Sequence, residues 1–193
     1  MKRKIKITFN SPVILSFVIL CFLAMVLNYL TGGVSNQLAF ITYHSSLKSP
    51  FTYIRFFTHV VGHVNWEHLI ANMSYILLLG PMLEEKYGSK RMIQVIAITA
   101  LVTGVINYLF FWNIALCGAS GVCFAFILLS SFTSFKEGEL PLTVILVAIF
   151  FLGQQVYEGI FLQDNVSNMA HILGGIIGAY LGFLLNKKSI SIG

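Results

Sequence analysis

The sequence predicts an all-α integral membrane protein: a bundle of six transmembrane helices with a long interfacial loop after the first. Three observations carry that expectation. The chain of 193 residues is 57% hydrophobic and only 10% charged, it contains six apolar stretches of spanning or near-spanning length, and its basic residues gather in short clusters between alternate stretches. An average soluble domain is about half apolar and a quarter charged, so a fold this small could not hide the excess. The mean hydropathy of +0.84 agrees. A net charge of +5 would suit a nucleic-acid partner if the cations formed one surface, but cations spaced between apolar runs are topology signals. No nucleic-acid partner is expected.

A spanning helix needs roughly 20 mostly apolar residues, within a range of about 17–25. The candidate spans are Pro12–Leu30, Trp66–Leu83, Met92–Trp112, Ala119–Phe132, Leu142–Tyr157 and Ser167–Leu185. Met1 to Phe9 and the run after it resemble a signal peptide, but no small-residue cleavage site follows, so the run is read as a helix that stays. Six spans place both ends on one side. Lys2, Arg3, Lys4 and Lys6 precede the first span, and Lys86, Lys90 and Arg91 separate the second from the third. Lys136 follows the fourth, Lys187 and Lys188 follow the sixth, and only Lys48 and Arg55 fall in the opposite loops. Positive loops stay in the cytoplasm, so both termini are expected there. Residues 1–193 form one domain, with a basic N-terminus at 1–10 and a tail at 186–193. The loop Thr31–Asn65 carries Phe40, Tyr43, Phe51, Tyr53, Phe56 and Phe57, and is expected to lie in the interface as short helices. Cys21, Cys117 and Cys123 form no CxxC pair and no even set, which argues against a disulfide framework or a thiolate metal site.

The informative residues are polar ones placed where polarity is expensive. These are His59 and His63 ahead of the second span, His68 and Asn72 within it, Ser120 opening the fourth and His171 opening the sixth. The second, fourth and sixth spans share one direction, so His68, Asn72, Ser120 and His171 fall at one depth in the outer leaflet. His68 and Asn72, four apart, share a helix face. The fourth span is short: about 14 residues, or ~21 Å at 1.5 Å per residue, against a hydrocarbon core about 30 Å thick. Its outer end would then stop roughly 10 Å below the surface, leaving Ser120 at the floor of a water-accessible cavity.

A serine hydroxyl needs a base, and histidine is the usual one near neutral pH. Ser120 and His171 fit that pair. Glu67 sits at a span edge, and Glu158 and Asp164 are read as loop residues, so no intramembrane carboxylate completes a triad. A dyad is expected, with His171 oriented by packing and by a neighbour such as Asn168. The oxyanion formed by attack on a carbonyl needs aimed donors, which the Ser120 backbone N–H, His68 and Asn72 can supply. Gly118 and Gly121 allow a substrate backbone to approach. Gly174, Gly178 and Gly182 form a small-residue stripe suited to close helix packing, with the fourth span as the most economical partner.

Gly118-Ala119-Ser120-Gly121, Ala170-His171 with Gly174 and Gly178, and His68-x-x-x-Asn72 resemble the signature of rhomboid intramembrane proteases. Phe57-Thr58-His59, His63 and Glu85-Lys86-Tyr87-Gly88-Ser89 extend the resemblance, which runs from about Phe51 to Leu185. It implies a six-helix core, a Ser–His dyad, an oxyanion hole using His68 and Asn72, and cleavage of transmembrane protein substrates near small, helix-destabilising residues. The implied partners are those substrates and the lipid bilayer; no cofactor, metal ion or oligomeric state is implied. Two positions depart from the pattern. Ile54-Arg55 stands where the family often has Trp-Arg, and Phe124 stands where a Tyr is frequent, keeping a ring for His171 but losing a hydroxyl. The rival readings are a non-proteolytic rhomboid-like binder, which would lack the serine or the histidine, and a polar-substrate transporter, which would pair ionisable residues at the midplane. A metal site on His59, His63 and His68 lacks a carboxylate or thiolate partner.

Overall fold

The computed structural model describes residues 7–133, 139–161 and 168–190, with side chains as far as Asn186. Lys2, Arg3, Lys4, Lys6, Lys136, Asp164 and Ser167, and the side chains of Lys187 and Lys188, fall outside the described residues. The eight α-helices among the described residues are α1 (Pro12–Leu30), α2 (Pro50–Thr58), α3 (Trp66–Tyr87), α4 (Ser89–Phe110), α5 (Ser120–Ser131), α6 (Leu142–Val147), α7 (Gly153–Phe161) and α8 (Asn168–Ile190). A π-helical turn at Ala148–Leu152 joins α6 to α7, so Leu142–Phe161 reads as one rod of 20 residues.

Local chemistry sets the helix ends. Pro12 opens α1, where its missing N–H would be unpaired anyway. The next two N–H groups, from Val13 and Ile14, donate to the Glu84 carboxylate of α3, each at 3.0 Å. Ser89 Oγ donates to the same carboxylate at 2.6 Å, so one buried acid caps α1 and fixes the α3–α4 turn. Asn65 caps α3 by accepting the His68 N–H at 2.8 Å. Gly88, at φ 82°, lets the chain turn directly into α4.

Among the described residues, four helices are long and apolar enough to cross a membrane: Pro12–Leu30, Ser89–Phe110, Leu142–Phe161 and Asn168–Asn186. Helix α3, at 22 residues, runs four residues past the expected Leu83 and carries the polar Glu84, Glu85 and Lys86 in its last turn. Helix α5 has only 12 residues. It is also the centre of the molecule: Val122, Ala125, Phe126, Leu128 and Leu129 are all buried, with α3, α4 and α8 packed around it. Large apolar side chains such as Leu23, Leu78, Phe110 and Phe150 face outward and stay exposed, the surface of a membrane protein rather than of a soluble monomer.

The contact between α5 and α8 depends on glycine. A Cβ at Gly174 would collide with the Gly121 carbonyl oxygen, and one at Gly178 with that of Ala125. At Gly182 it would meet the Phe132 ring at 2.8 Å. Gly174 and Gly178 therefore pack α8 against the backbone of α5, and Gly182 against a ring.

The first loop folds into a π-helical turn at Asn36–Phe40 and the helix α2. Arg55 is its hub. Buried, it donates to Tyr43 Oη at 2.9 Å and Ser45 Oγ at 2.7 Å, and its guanidinium lies 4.2 Å from the Tyr43 ring centroid. Ile54 beside it faces outward and plays no part in this network.

Candidate active site

Ser120 is the first residue of α5, after a loop whose course is dictated residue by residue. Thr42 and Leu116 exchange backbone hydrogen bonds at 3.0 and 2.9 Å, tying this loop to the first one. The Gly118 N–H donates to the His59 carbonyl at 2.9 Å, and the Ala119 N–H to His63 Nε2 at 3.4 Å. His63 Nδ1 meets the Val61 carbonyl at 3.2 Å, which makes Nδ1 the protonated nitrogen and leaves Nε2 free to accept. His59 is held by the Arg55 carbonyl at 3.1 Å and Thr103 Oγ1 at 3.2 Å. Burial pushes both loop imidazoles down to about 4, so they serve as neutral hydrogen-bonding groups.

Gly118 adopts φ +127°, a conformation that disfavours any side chain. A Cβ there would lie 2.8 Å from His68 Nε2 and 3.5 Å from Asn72 Nδ2. The backbone ahead of Ser120 thus runs directly beside the two polar side chains of α3. Asn72 is buried, and its Nδ2 has no hydrogen-bond partner.

His171 lies in the first turn of α8. Its Nε2 is 2.8 Å from Ser120 Oγ. Phe124, one turn along α5, stacks flat on the imidazole, with centroids 4.5 Å apart and planes 6° from parallel. The missing tyrosine hydroxyl leaves this stack intact. On the far side of the ring, Nδ1 is hydrogen-bonded to Gln155 Oε1 of α7. Because a carboxamide oxygen can only accept, Nδ1 carries the proton and Nε2 presents its lone pair to Ser120.

These groups border a cavity of about 520 Å³, lined among others by His68, Asn72, Cys117, Ser120, Phe151 and His171. Gly121 and Gly174 stand at the α5–α8 contact beneath it, where a Gly121 Cβ would sit 3.3 Å from the Ala170 carbonyl. Gly178 lies one turn further along α8.

Two of the sequence expectations change here. Asn168 is half-buried, with its Oδ1 unpartnered and its amide nitrogen facing Gly159, whereas Gln155 occupies the Nδ1 side of His171. Glu158 is not a loop residue: α7 continues past Tyr157 to Phe161. Within it, Gln154 Nε2 donates to Glu158 Oε1 across one helical turn at 2.8 Å. Gln155 could have been found from the sequence, because an amide inside an apolar span is costly for the same reason as His68.

The rhomboid domain family matches residues 50–188. The chain belongs to the rhomboid family. Among rhomboid relatives, the rhomboid protease GlpG of Haemophilus influenzae is 25% identical over 69% of this chain and 70% of its own length. The rhomboid protease GluP of Bacillus subtilis is 30% identical over 85% of this chain but 32% of its own. The chloroplastic rhomboid-like protein 11 of Arabidopsis thaliana is 27% identical over 69% of this chain and 52% of its own. The chain thus spans from about a third to about two thirds of these rhomboid relatives.

Proposed function

We propose that this rhomboid is an intramembrane serine endopeptidase that cleaves transmembrane protein substrates with Ser120 as nucleophile and His171 as base. The observation that carries the reading is the 2.8 Å contact between Ser120 Oγ and His171 Nε2. The relatives named as proteases support the reaction class.

In the reaction, Ser120 Oγ attacks the scissile carbonyl carbon while its proton passes to His171 Nε2. The carbonyl oxygen becomes an oxyanion beside Asn72 Nδ2, His68 and the Ser120 N–H. That N–H opens α5, where no intrahelical carbonyl precedes it, and the helix dipole favours negative charge there. Asn72 Nδ2, a buried donor without a partner, gains one as charge develops, which is the stabilisation that lowers the barrier. His171 then gives its Nε2 proton to the departing amide nitrogen. Water, deprotonated by His171 Nε2, attacks the acyl-enzyme carbonyl, and the proton passes from His171 to Ser120 Oγ as the ester bond breaks.

In this reading α3 and α5 also lie in the membrane, giving six spans. Twelve residues of α5 at 1.5 Å each reach only ~18 Å into a core about 30 Å thick. Its outer end is therefore submerged, and the cavity admits water from the outer face. Lys86, Lys90 and Arg91 at the α3–α4 turn mark the cytoplasmic side with both termini, and the first loop lies in the outer interface. Incubating the purified chain with a single-span model substrate tests the reaction. The wild type should cleave and Ser120→Ala should not; equal cleavage by both would refute it.

A further inference from the structure

Within that proposed hydrolytic site, which this inference presupposes, the geometry points to Gln155 as a positioning residue that couples the Glu158 carboxylate to His171 through its side-chain amide. Gln155 is buried on α7. Its Nε2 donates to Glu158 Oε2 at 3.2 Å, and its Oε1 accepts from His171 Nδ1. The two contacts fix each other: the amide nitrogen must face the carboxylate, so its oxygen must face the imidazole. Gln154 holds the carboxylate from the other side, donating to Oε1 at 2.8 Å. A continuous line of hydrogen bonds therefore runs from Glu158 through Gln155 and His171 to Ser120.

The arrangement does two things. It locks His171 in the tautomer whose Nε2 can take the serine proton. It also places a polarised carbonyl dipole against Nδ1, where positive charge develops when that proton arrives. Ion–dipole coupling through an amide avoids seating an anion directly against the imidazole inside an apolar bundle, where desolvation is costly. The π-helical turn Ala148–Leu152 lies immediately before α7 and sets the rotation at which Gln155 meets α8.

The other titratable groups on the cavity walls are His68 and Tyr75 of α3, Cys117 and Cys123; none is altered in the following test. The purified chain as wild type, Gln155→Leu, Glu158→Gln and the exchange variant Gln155→Glu/Glu158→Gln is assayed on a single-span model substrate from pH 5 to 9. Ser120→Ala serves as the blank, and fluorophosphonate labelling rates provide a second readout. Gln155→Leu should lower kcat about 10- to 100-fold at little changed KM, and move the acid limb of the profile to lower pH. Glu158→Gln should move it the same way by less. The exchange variant puts a carboxylate on Nδ1, should recover much of the turnover and should move the limb upward by about one unit or more. Equal losses in all three variants with a stationary limb would assign Gln155 a packing role and overturn the inference. Wild-type cleavage that survives Ser120→Ala would instead remove the hydrolytic reading, and this inference with it.

Discussion

A buried donor without an acceptor costs about 1–3 kcal/mol, yet Asn72 Nδ2 stands in that condition beside Ser120. The cost is reasonable if the amide is aimed at charge that exists only during reaction. This separates its effect on turnover from its effect on stability. Asn72→Ala should reduce cleavage by about 10²–10³-fold while leaving the melting temperature in detergent unchanged or slightly raised. A melting temperature that falls in step with activity would make Asn72 a structural residue instead. At this scale Ser120, His171, His68 and Asn72 stand out in the sequence, because each is a polar group within or at the start of an apolar stretch. Gln155 is equally polar and lies inside the apolar helix Leu142–Phe161. Its role shows only when the helix is seen to run past Tyr157 to Phe161, which puts Glu158 one turn beyond Gln155. No sequence rule places the π-helical turn that rotates Gln155 inward.

At the scale of elements, the site depends on how closely α8 approaches α5. Gly174 and Gly178 let backbone lie on backbone, and His171 is carried one turn before that contact. Gly178→Val should therefore cost about 1–3 kcal/mol through overpacking and reduce cleavage further than the stability loss explains, because it parts Ser120 from His171. Gly153→Ala provides the contrast. A methyl group there meets nothing within 4 Å, so a slight gain in helix stability and full activity are expected. Thermal melts and cleavage rates of the two variants check both statements; matched behaviour would remove the special role of the α5–α8 contact. The glycine stripe was readable as packing, and the short fourth helix as a break in an otherwise spanning pattern. The Glu84 cap on α1 was not readable, because it joins residues about 70 positions apart in the chain.

At the scale of the molecule, the first loop holds the Ser120 end of α5 in place. Arg55 organises the loop, His59 and His63 grip the Gly118 and Ala119 amides, and Thr42 pairs with Leu116. Because burial keeps His59 and His63 near 4 in the folded chain, against about 6.5 when exposed, the folded state binds fewer protons between those values. Their contribution to stability is present above about 6.5 and is lost as the pH falls towards 4. Melting temperatures measured from pH 8 to 4.5 should fall steadily below 6.5; a flat profile would mean that these rings are not buried and neutral. The expectation that the loop forms short helices is met by α2 and the turn Asn36–Phe40, but its grip on the Ser120 loop is a tertiary fact that no local pattern encodes. The proposed chemistry rests on Ser120 being activated by His171. The most direct measurement is fluorophosphonate labelling of the purified chain, with the adduct located by peptide mass. Labelling at Ser120 that disappears in His171→Ala, while the variant's melting temperature stays near wild type, is the predicted result. Absence of labelling in the folded wild type, or labelling that persists in His171→Ala, would contradict it.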